Sequence, residues 1–304
     1  MLAQRLSSIN ALATLCERVG ADMTSVTAAV GADSRIGPHY LQSGLGWGGS
    51  CLRKDVLSLA YACERAGLAA EAAYWRQVSE YNQQTRERFA RAVVRQMVNP
   101  RGKTVALWGF AFKANTADAR DTPAGDIVLE CLREGARVRV WDERVPRREL
   151  ERELLARLEM GGTGAGGSHG WPDGLGAVLE DVDVAELQRL ADAERKRREA
   201  VAEEGQKGAG RALRHAVLAT CVRGVSLAQD LLDSVEGVQC VAIATEWARV
   251  RSMDEQQWRA VYARMRRPAY VLDGRGIVDV NLLQSIGFRV YQVGKAPSEH
   301  VELV

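Results

Sequence analysis

Apolar residues recur at helical spacing through the first hundred positions. In the opening segment they fall at every third or fourth residue from Leu2 to Val19, and Gly20 follows. This spacing predicts an amphipathic helix that starts at the second residue, with no capping residue before it, as in an N-terminally truncated chain. The same pattern predicts helices over residues 24–30, 51–65 and 69–97. We therefore interpret residues 1–99 as an all-helical domain.

The periodicity changes at Asn99-Pro100-Arg101-Gly102, after which short apolar runs alternate with helical patterns. The apolar runs are typical of strands buried on both faces of a parallel sheet. Predicted strands cover residues 104–109, 138–142, 215–221, 240–245, 269–272 and 288–293, and predicted helices cover 122–134, 226–235, 254–265 and 279–286. The alternation predicts an α/β protein whose second domain, residues 100–304, is a Rossmann-like, doubly wound parallel sheet.

One segment, about residues 144–214, does not fit this alternation. It holds a glycine run at 161–167 and the charge-dense run 193–199, which are typical of a surface insertion that is part linker and part solvated helix. Gly162, Gly164 and Gly167 match the spacing G-x-G-x-x-G, but no predicted strand leads into them. The match therefore does not indicate a dinucleotide site.

Composition narrows the classes of partner. The 304 residues carry 41 basic and 39 acidic side chains, a net charge of +2, so there is no overall field to attract nucleic acid or a membrane surface. The six cysteines are widely spaced without a C-x-x-C pair, which indicates neither a zinc site nor a disulfide framework and suits a reducing, cytoplasmic setting. No apolar run approaches the roughly 18 residues of a membrane span. A small-molecule partner is favoured.

The stretch Gly44-Leu45-Gly46-Trp47-Gly48-Gly49-Ser50-Cys51 is the strongest candidate for chemistry. Glycines allow the backbone to take positive φ and to approach a ligand closely. Cys51 then stands at the start of a helix, where the dipole favours a thiolate nucleophile, and Asp55 lies on the same helical face four residues later. The ordinary alternative is a tight turn with a buried cysteine.

Several cationic residues are predicted to lie in loops, most of them directly after strands. Arg35 is presented by a Pro/Gly turn, and Lys113 and Arg120 follow the first strand of the sheet. Arg275 follows a later strand in Asp273-Gly274-Arg275. Ligands of such sheets bind at the carboxyl ends of the strands, so these cations suit a pyrophosphate; the alternative is that they are loop decoration.

Together these residues resemble the UDP-glucose 6-dehydrogenase family, in particular its animal-type branch. Three separated parts carry the resemblance: Gly31–Gly37 with Gly46–Asp55, Gly109–Lys113 with Arg120–Pro123, and Thr245–Trp247 with Asp273–Arg275. It covers nearly the whole chain except the insertion.

The resemblance implies oxidation of UDP-glucose to UDP-glucuronate with two NAD⁺, through a thioester on Cys51 whose hydrolysis Asp55 assists. It implies a homo-oligomer, or assembly with full-length related subunits, in which Arg35 reaches a neighbouring subunit's substrate. Gln42 stands where the family often has lysine. Implied substrate contacts are Arg35, Gln42, Ser43, Gly44, Leu45, Gly46, Trp47, Gly48, Phe112, Lys113 and Arg275. Implied NAD contacts are Cys51, Leu52, Arg53, Lys54 and Arg120.

In that family an N-terminal Rossmann domain with the dinucleotide fingerprint precedes this material, together with a catalytic glutamate and an oxyanion-binding lysine and asparagine. The 304 residues hold none of these, so we expect little or no dehydrogenase activity from this chain alone. Two hypotheses remain: a dehydrogenase whose recorded sequence lacks its N-terminus, or a non-enzymatic protein that binds a UDP-sugar or partner subunits. Related dehydrogenases act on GDP-mannose or UDP-N-acetylmannosamine, and the segments around Cys51, Glu246 and Arg275 favour UDP-glucose.

Overall fold

The N-terminal part of the protein is helical in the computed structural model, which describes residues 1–161 and 224–296. Its four helices are α1 (Leu2–Val19), α2 (Met23–Ala32), α3 (Ser50–Arg65) and α4 (Ala69–Arg95). Gly20 ends α1 in the left-handed conformation with φ of 77°, where a residue with a Cβ would be strained. The helical pattern of the sequence is confirmed, with boundaries shifted by one or two residues.

A six-stranded parallel sheet follows. Its strands are β1 (Thr104–Trp108), β2 (Arg137–Trp141), β3 (Val225–Leu227), β4 (Cys240–Ile243), β5 (Tyr270–Asp273) and β6 (Arg289–Gln292). Their order across the sheet is β3-β2-β1-β4-β5-β6, and every pair is parallel. This is the doubly wound order that was predicted, and its switch point lies between β1 and β4.

Helices α5 (Pro123–Arg133), α6 (Arg147–Gly161), α7 (Leu231–Ser234), α8 (Ala248–Arg251), α9 (Glu255–Arg264) and α10 (Val280–Ile286) accompany the sheet. The helix predicted over 226–235 is wrong in its first half, because Val225–Leu227 forms a strand that pairs with β2. Three residues are too few to show a strand period in sequence. The strand predicted over 215–221 lies outside the described residues.

The predicted surface insertion is wrong for its first part. Helix α6 begins at Arg147 and buries Leu150 and Leu154, which are 2% and 0% exposed, in the main apolar core. These two leucines are one helical turn apart, and the charged residues around them hid this short apolar stripe in the sequence. The glycine run and the charge-dense run lie outside the described residues, apart from Gly161 at the end of α6.

The main apolar core continues from helix α4 into the sheet. Phe89 and Val93 of α4 belong to the same buried cluster as the strands. Glu17 of α1 adds a polar tie, because its carboxylate accepts hydrogen bonds from Arg88, from the Tyr291 hydroxyl and from the Gly294 amide. The domain boundary near residue 99 stays a prediction. Among the described residues, none of the helices is long and apolar enough to cross a membrane.

Candidate functional site

The glycine-rich loop lies buried between the helices and the carboxyl edge of the sheet. The Gly44 amide donates to Asn10 Oδ1 of α1 at 2.9 Å, and the Leu45 amide donates to the carbonyl of Gly274, just beyond β5, at 2.9 Å. Asn82 of α4 accepts from the Trp47 amide through Oδ1 and donates to the Trp47 carbonyl through Nδ2. The loop is therefore fixed by both parts of the protein.

Two of its glycines are required by close contacts. A Cβ on Gly48 would lie 2.5 Å from the Asp121 carbonyl oxygen and 2.8 Å from Pro123 Cδ. Gly49 has a φ of 87° and faces the ring of Phe112, and its amide donates to the Arg120 carbonyl at 3.1 Å. A side chain at either position would push the loop away from the segment that follows β1.

Cys51 is the second residue of helix α3 and is exposed. Among the described cysteines it alone is exposed, since Cys16, Cys131 and Cys240 are buried and Cys63 is half-buried. The alternative of a buried structural cysteine is thereby wrong for this position. Asp55 lies one helical turn further on, is also exposed, and pairs with Lys54 Nζ at 3.5 Å. A thiol and a carboxylate thus share one open helical face.

Arg120 stands beside the start of this face, because its carbonyl accepts a hydrogen bond at 3.1 Å from the amide of Gly49, two residues before Cys51. Its guanidinium also pairs with Asp118, with Nη2 2.7 Å from Oδ2, and this hydrogen bonding lowers the pKa of the Asp118 carboxyl. The Arg120 side chain keeps 59% of its surface exposed. Arg35 makes the same kind of pair with Asp33 on an exposed turn, 2.6 Å between Nη2 and Oδ2.

Arg275 reaches the carboxyl edge from the loop after β5. Its Nε donates to the Ala244 carbonyl at 2.7 Å and lies 3.3 Å from Glu246 Oε2, and Nη2 donates to the Phe112 carbonyl at 3.3 Å. Burial lowers the pKa of this guanidinium. Lys113 is exposed, and its Nζ lies 5.4 Å from the centroid of the Phe112 ring. An exposed cation near the ring of Phe112 and a half-buried cation at its carbonyl therefore lie at the same residue.

Two aspartates that the sequence did not single out shape these loops. Asp273, fully buried at the end of β5, accepts from the amides of residues 275–278 and from Gln292 Nε2. Asp142, just after β2, accepts from the amides of Phe110 and Ala111 at 2.6 and 3.0 Å. For both, the available signal was an aspartate at the carboxyl end of a buried strand or directly after it.

The remaining predicted contacts divide into two groups. Gln42 donates to the Arg275 carbonyl at 3.0 Å, and Ser43, Leu45 and Gly46 continue the loop beside it. Leu52 packs against the small apolar cluster that includes Trp47 and Val56, whereas Arg53 and Lys54 are exposed. Arg35 instead pairs with Asp33 at its own turn. In the described ranges, no group of three or more His, Cys, Asp or Glu side chains is placed to hold a metal ion.

These features define a protein in which a helical part presents a cysteine at the carboxyl edge of a doubly wound sheet. The profile of the UDP-glucose/GDP-mannose dehydrogenase family, central domain, matches residues 1–84, and that of the same family's UDP binding domain matches residues 106–280. The chain belongs to the UDP-glucose/GDP-mannose dehydrogenase family.

Individual relatives agree with this placement. UDP-glucose 6-dehydrogenase 4 of Arabidopsis thaliana is 35% identical over 295 residues, and UDP-glucose 6-dehydrogenase 1 of Oryza sativa subsp. japonica is 36% identical over 295 residues. Each alignment covers 97% of this chain and 51% of the relative, so the chain spans about half the length of the curated relatives it matches. A solved UDP-glucose dehydrogenase from Pyrobaculum islandicum superposes with a TM-score of 0.61 at 25% identity, covering 97% of this chain and 48% of that one.

Proposed function

We propose that this chain forms the nucleotide-sugar side of a UDP-glucose 6-dehydrogenase site, with Cys51 as the covalent nucleophile. One observation carries the proposal: the buried glycine loop seats an exposed cysteine at the carboxyl edge of the doubly wound sheet, beside Phe112, Lys113 and Arg275. That edge is where ligands of such sheets bind.

The cations suit a diphosphate and a sugar. Lys113 is exposed in the segment that follows β1 and offers three donors to phosphate oxygens. Arg275 is held in place by two carbonyls and Glu246, so its position is set before a ligand arrives. We propose that the nucleotide lies along this edge and that C6 of the glucose points to Cys51, with residues 42–48 over the sugar.

The thiol chemistry follows from the position of Cys51. When bound, NAD supplies the hydride acceptor for both oxidations. Between them, the Cys51 sulfur bonds to C6 of the aldehyde, and after the second oxidation the same bond is a thioester. Water then attacks that carbon, the C–S bond breaks, and the thiolate leaves. Asp55 orients this water or accepts its proton, since its carboxylate lies on the same open face.

The NAD contacts within this chain are proposed at the open N-terminus of α3. Cys51 and the three residues after it, Leu52, Arg53 and Lys54, form its first turn, and Arg120 stands beside them with most of its side chain exposed. A helix N-terminus with an added arginine fits the phosphates of a dinucleotide. We further propose a cytoplasmic homo-oligomer in which the exposed Arg35 reaches a neighbour's substrate.

Calorimetric titration tests the nucleotide-sugar assignment. We expect the 304-residue protein to bind UDP-glucose more tightly than GDP-mannose and to produce little or no NADH. Lys113→Gln is expected to weaken UDP-glucose binding about tenfold, the size of one charge-assisted hydrogen bond. Lys103→Gln is the matched control, because Lys103 precedes the opposite end of the same strand.

The possible outcomes separate the parts of the proposal. Binding of neither nucleotide sugar would show that the reading of Lys113 and Arg275 is wrong. Tighter binding of GDP-mannose would overturn the choice of substrate within the family. Binding of UDP-glucose without any reaction in an assembly that includes an NAD-binding partner subunit would favour the non-enzymatic alternative.

A further inference from the structure

We propose that Arg86 is a positioning residue that sets Cys51 against Arg120. This proposal deepens the proposed function, in which Cys51 is the nucleophile. Only the effect of Arg86 on catalysis rests on that function; its effect on the position of Arg120 does not. Arg86 belongs to helix α4 and lies 39 residues after Trp47 and 35 residues before Asp121, the two residues that it connects.

One buried guanidinium joins both segments. The Arg86 side chain is 3% exposed, and its Nη2 donates to the Trp47 carbonyl at 2.6 Å and to the Asp121 carbonyl at 2.7 Å. Its Nη1 donates to Asp121 Oδ1 at 2.8 Å. Trp47 stands four residues before Cys51, and Asp121 directly follows Arg120. Arg86 therefore holds the loop that leads to Cys51 at a fixed distance from the segment that carries Arg120.

The backbone at Asp121 needs such a partner. Asp121 has a φ of 52°, a left-handed conformation that is unfavourable for a residue with a Cβ. Arg86 binds both its carbonyl and its carboxylate, and so holds this conformation. A Cβ added to Gly48 would lie only 2.5 Å from the same Asp121 carbonyl oxygen. The loop and the segment after β1 are thus pressed together at the residue that Arg86 binds.

The surrounding charges explain why arginine is required. Asp121 and Asp126 compensate Arg86, and Arg157 connects them to Glu153 with Nε 2.7 Å from Oε1. A lysine would keep the positive charge but would not present a planar fork to Trp47 and Asp121 together. Arg86→Lys should therefore loosen the geometry while leaving the charge of the cluster unchanged.

The placement of Arg120 provides a readout at Cys51 that needs no nucleotide. A guanidinium beside a thiolate speeds the attack of the sulfur on an anionic alkylating reagent, from which iodide leaves, relative to its attack on a neutral reagent of similar size. The ratio of the rates with iodoacetate and iodoacetamide, measured on the Cys51 peptide by mass spectrometry, reports this placement. A simple loss of stability would change exposure to both reagents and would not lower the ratio selectively.

We expect Arg120→Gln to lower the ratio about threefold and Arg86→Lys to lower it to nearly the same value. Arg139→Lys is the matched control, because Arg139 also donates to backbone carbonyls, those of residues 233, 234 and 236, away from the loop. Its ratio should equal that of the wild type.

A wild-type ratio in folded Arg86→Lys would overturn the proposal, and so would a wild-type ratio in Arg120→Gln. If Arg86→Lys does not fold, as judged by circular dichroism, Asp121→Asn replaces it. That variant keeps the guanidinium and weakens one partner, and its ratio should fall between those of the wild type and Arg120→Gln; an unchanged ratio would equally overturn the proposal. Failure of nucleotide binding would leave this result unaffected, so the two proposals fail separately.

Discussion

Replacing Asp273 by asparagine should destabilise the sheet domain strongly. The carboxylate of Asp273 is fully buried, and its Oδ1 accepts from the amides of Arg275 and Gly276 at 2.8 and 2.9 Å. Its Oδ2 accepts from the amides of Ile277 and Val278 and from a glutamine side chain, at 2.7 to 3.0 Å. All five partners are donors, so the site needs two acceptor oxygens.

Asparagine supplies only one of them. If its oxygen keeps the three donors of Oδ2, its NH₂ group faces the amides of Arg275 and Gly276, which are then left without an acceptor. A buried donor without a partner costs about 1–3 kcal/mol, so two cost about 2–6 kcal/mol. The opposite orientation of the amide leaves three donors unpaired and is worse.

Urea unfolding followed by circular dichroism measures this effect. Asp279→Asn is the matched control, because Asp279 caps helix α10 from an exposed position and asparagine caps as well as aspartate. We expect the control to unfold within about 0.5 kcal/mol of the wild type. A loss below about 1 kcal/mol for Asp273→Asn would refute the assignment of Asp273 as the residue that holds the Arg275 loop.

Two further predictions concern the contacts of the glycine loop and its neighbour. Gly48→Ala should lower the free energy of unfolding by about 1–3 kcal/mol, because the added Cβ would meet the Asp121 carbonyl at 2.5 Å; thermal unfolding measures this, and an unchanged midpoint would contradict the close contact. Arg120→Gln should raise the pKa of Asp118, which hydrogen bonding now lowers, as read by NMR titration of the carboxyl. The stability that this ion pair contributes is fully present above the pKa of Asp118 in the unfolded chain and is lost as the pH falls through the lowered pKa of the folded protein. An unchanged Asp118 pKa in the Arg120→Gln variant would contradict the pairing.

The sequence predicted the architecture well because the relevant signals are local. Short runs rich in apolar residues marked five of the six described strands, and Gly20 marked the end of α1. Strand β3 was missed because it has three residues and takes its stability from pairing with β2. Helix α6 was missed because its burial depends on Leu150 and Leu154 alone among many charges.

The site was predictable only where its residues stand in marked motifs. Cys51 follows a glycine run, and Arg275 follows Asp273-Gly274 after a buried strand. Arg86 lies in the middle of a polar stretch of α4 and has no local signature. Its role arises from tertiary contacts with Trp47 and Asp121, which are 39 and 35 residues away along the chain. Such residues emerge only when the elements are placed together.

Protection of Cys51 by nucleotide sugar tests most directly whether the cysteine and the sheet edge form one site. The rate of Cys51 alkylation by iodoacetamide is measured with UDP-glucose, with UDP, and without ligand. If the nucleotide lies along the carboxyl edge and C6 of the sugar points to the sulfur, saturating UDP-glucose slows alkylation at least about tenfold, while UDP, which lacks the sugar, slows it little. Equal rates in all three conditions, with UDP-glucose shown to be bound, would contradict the account.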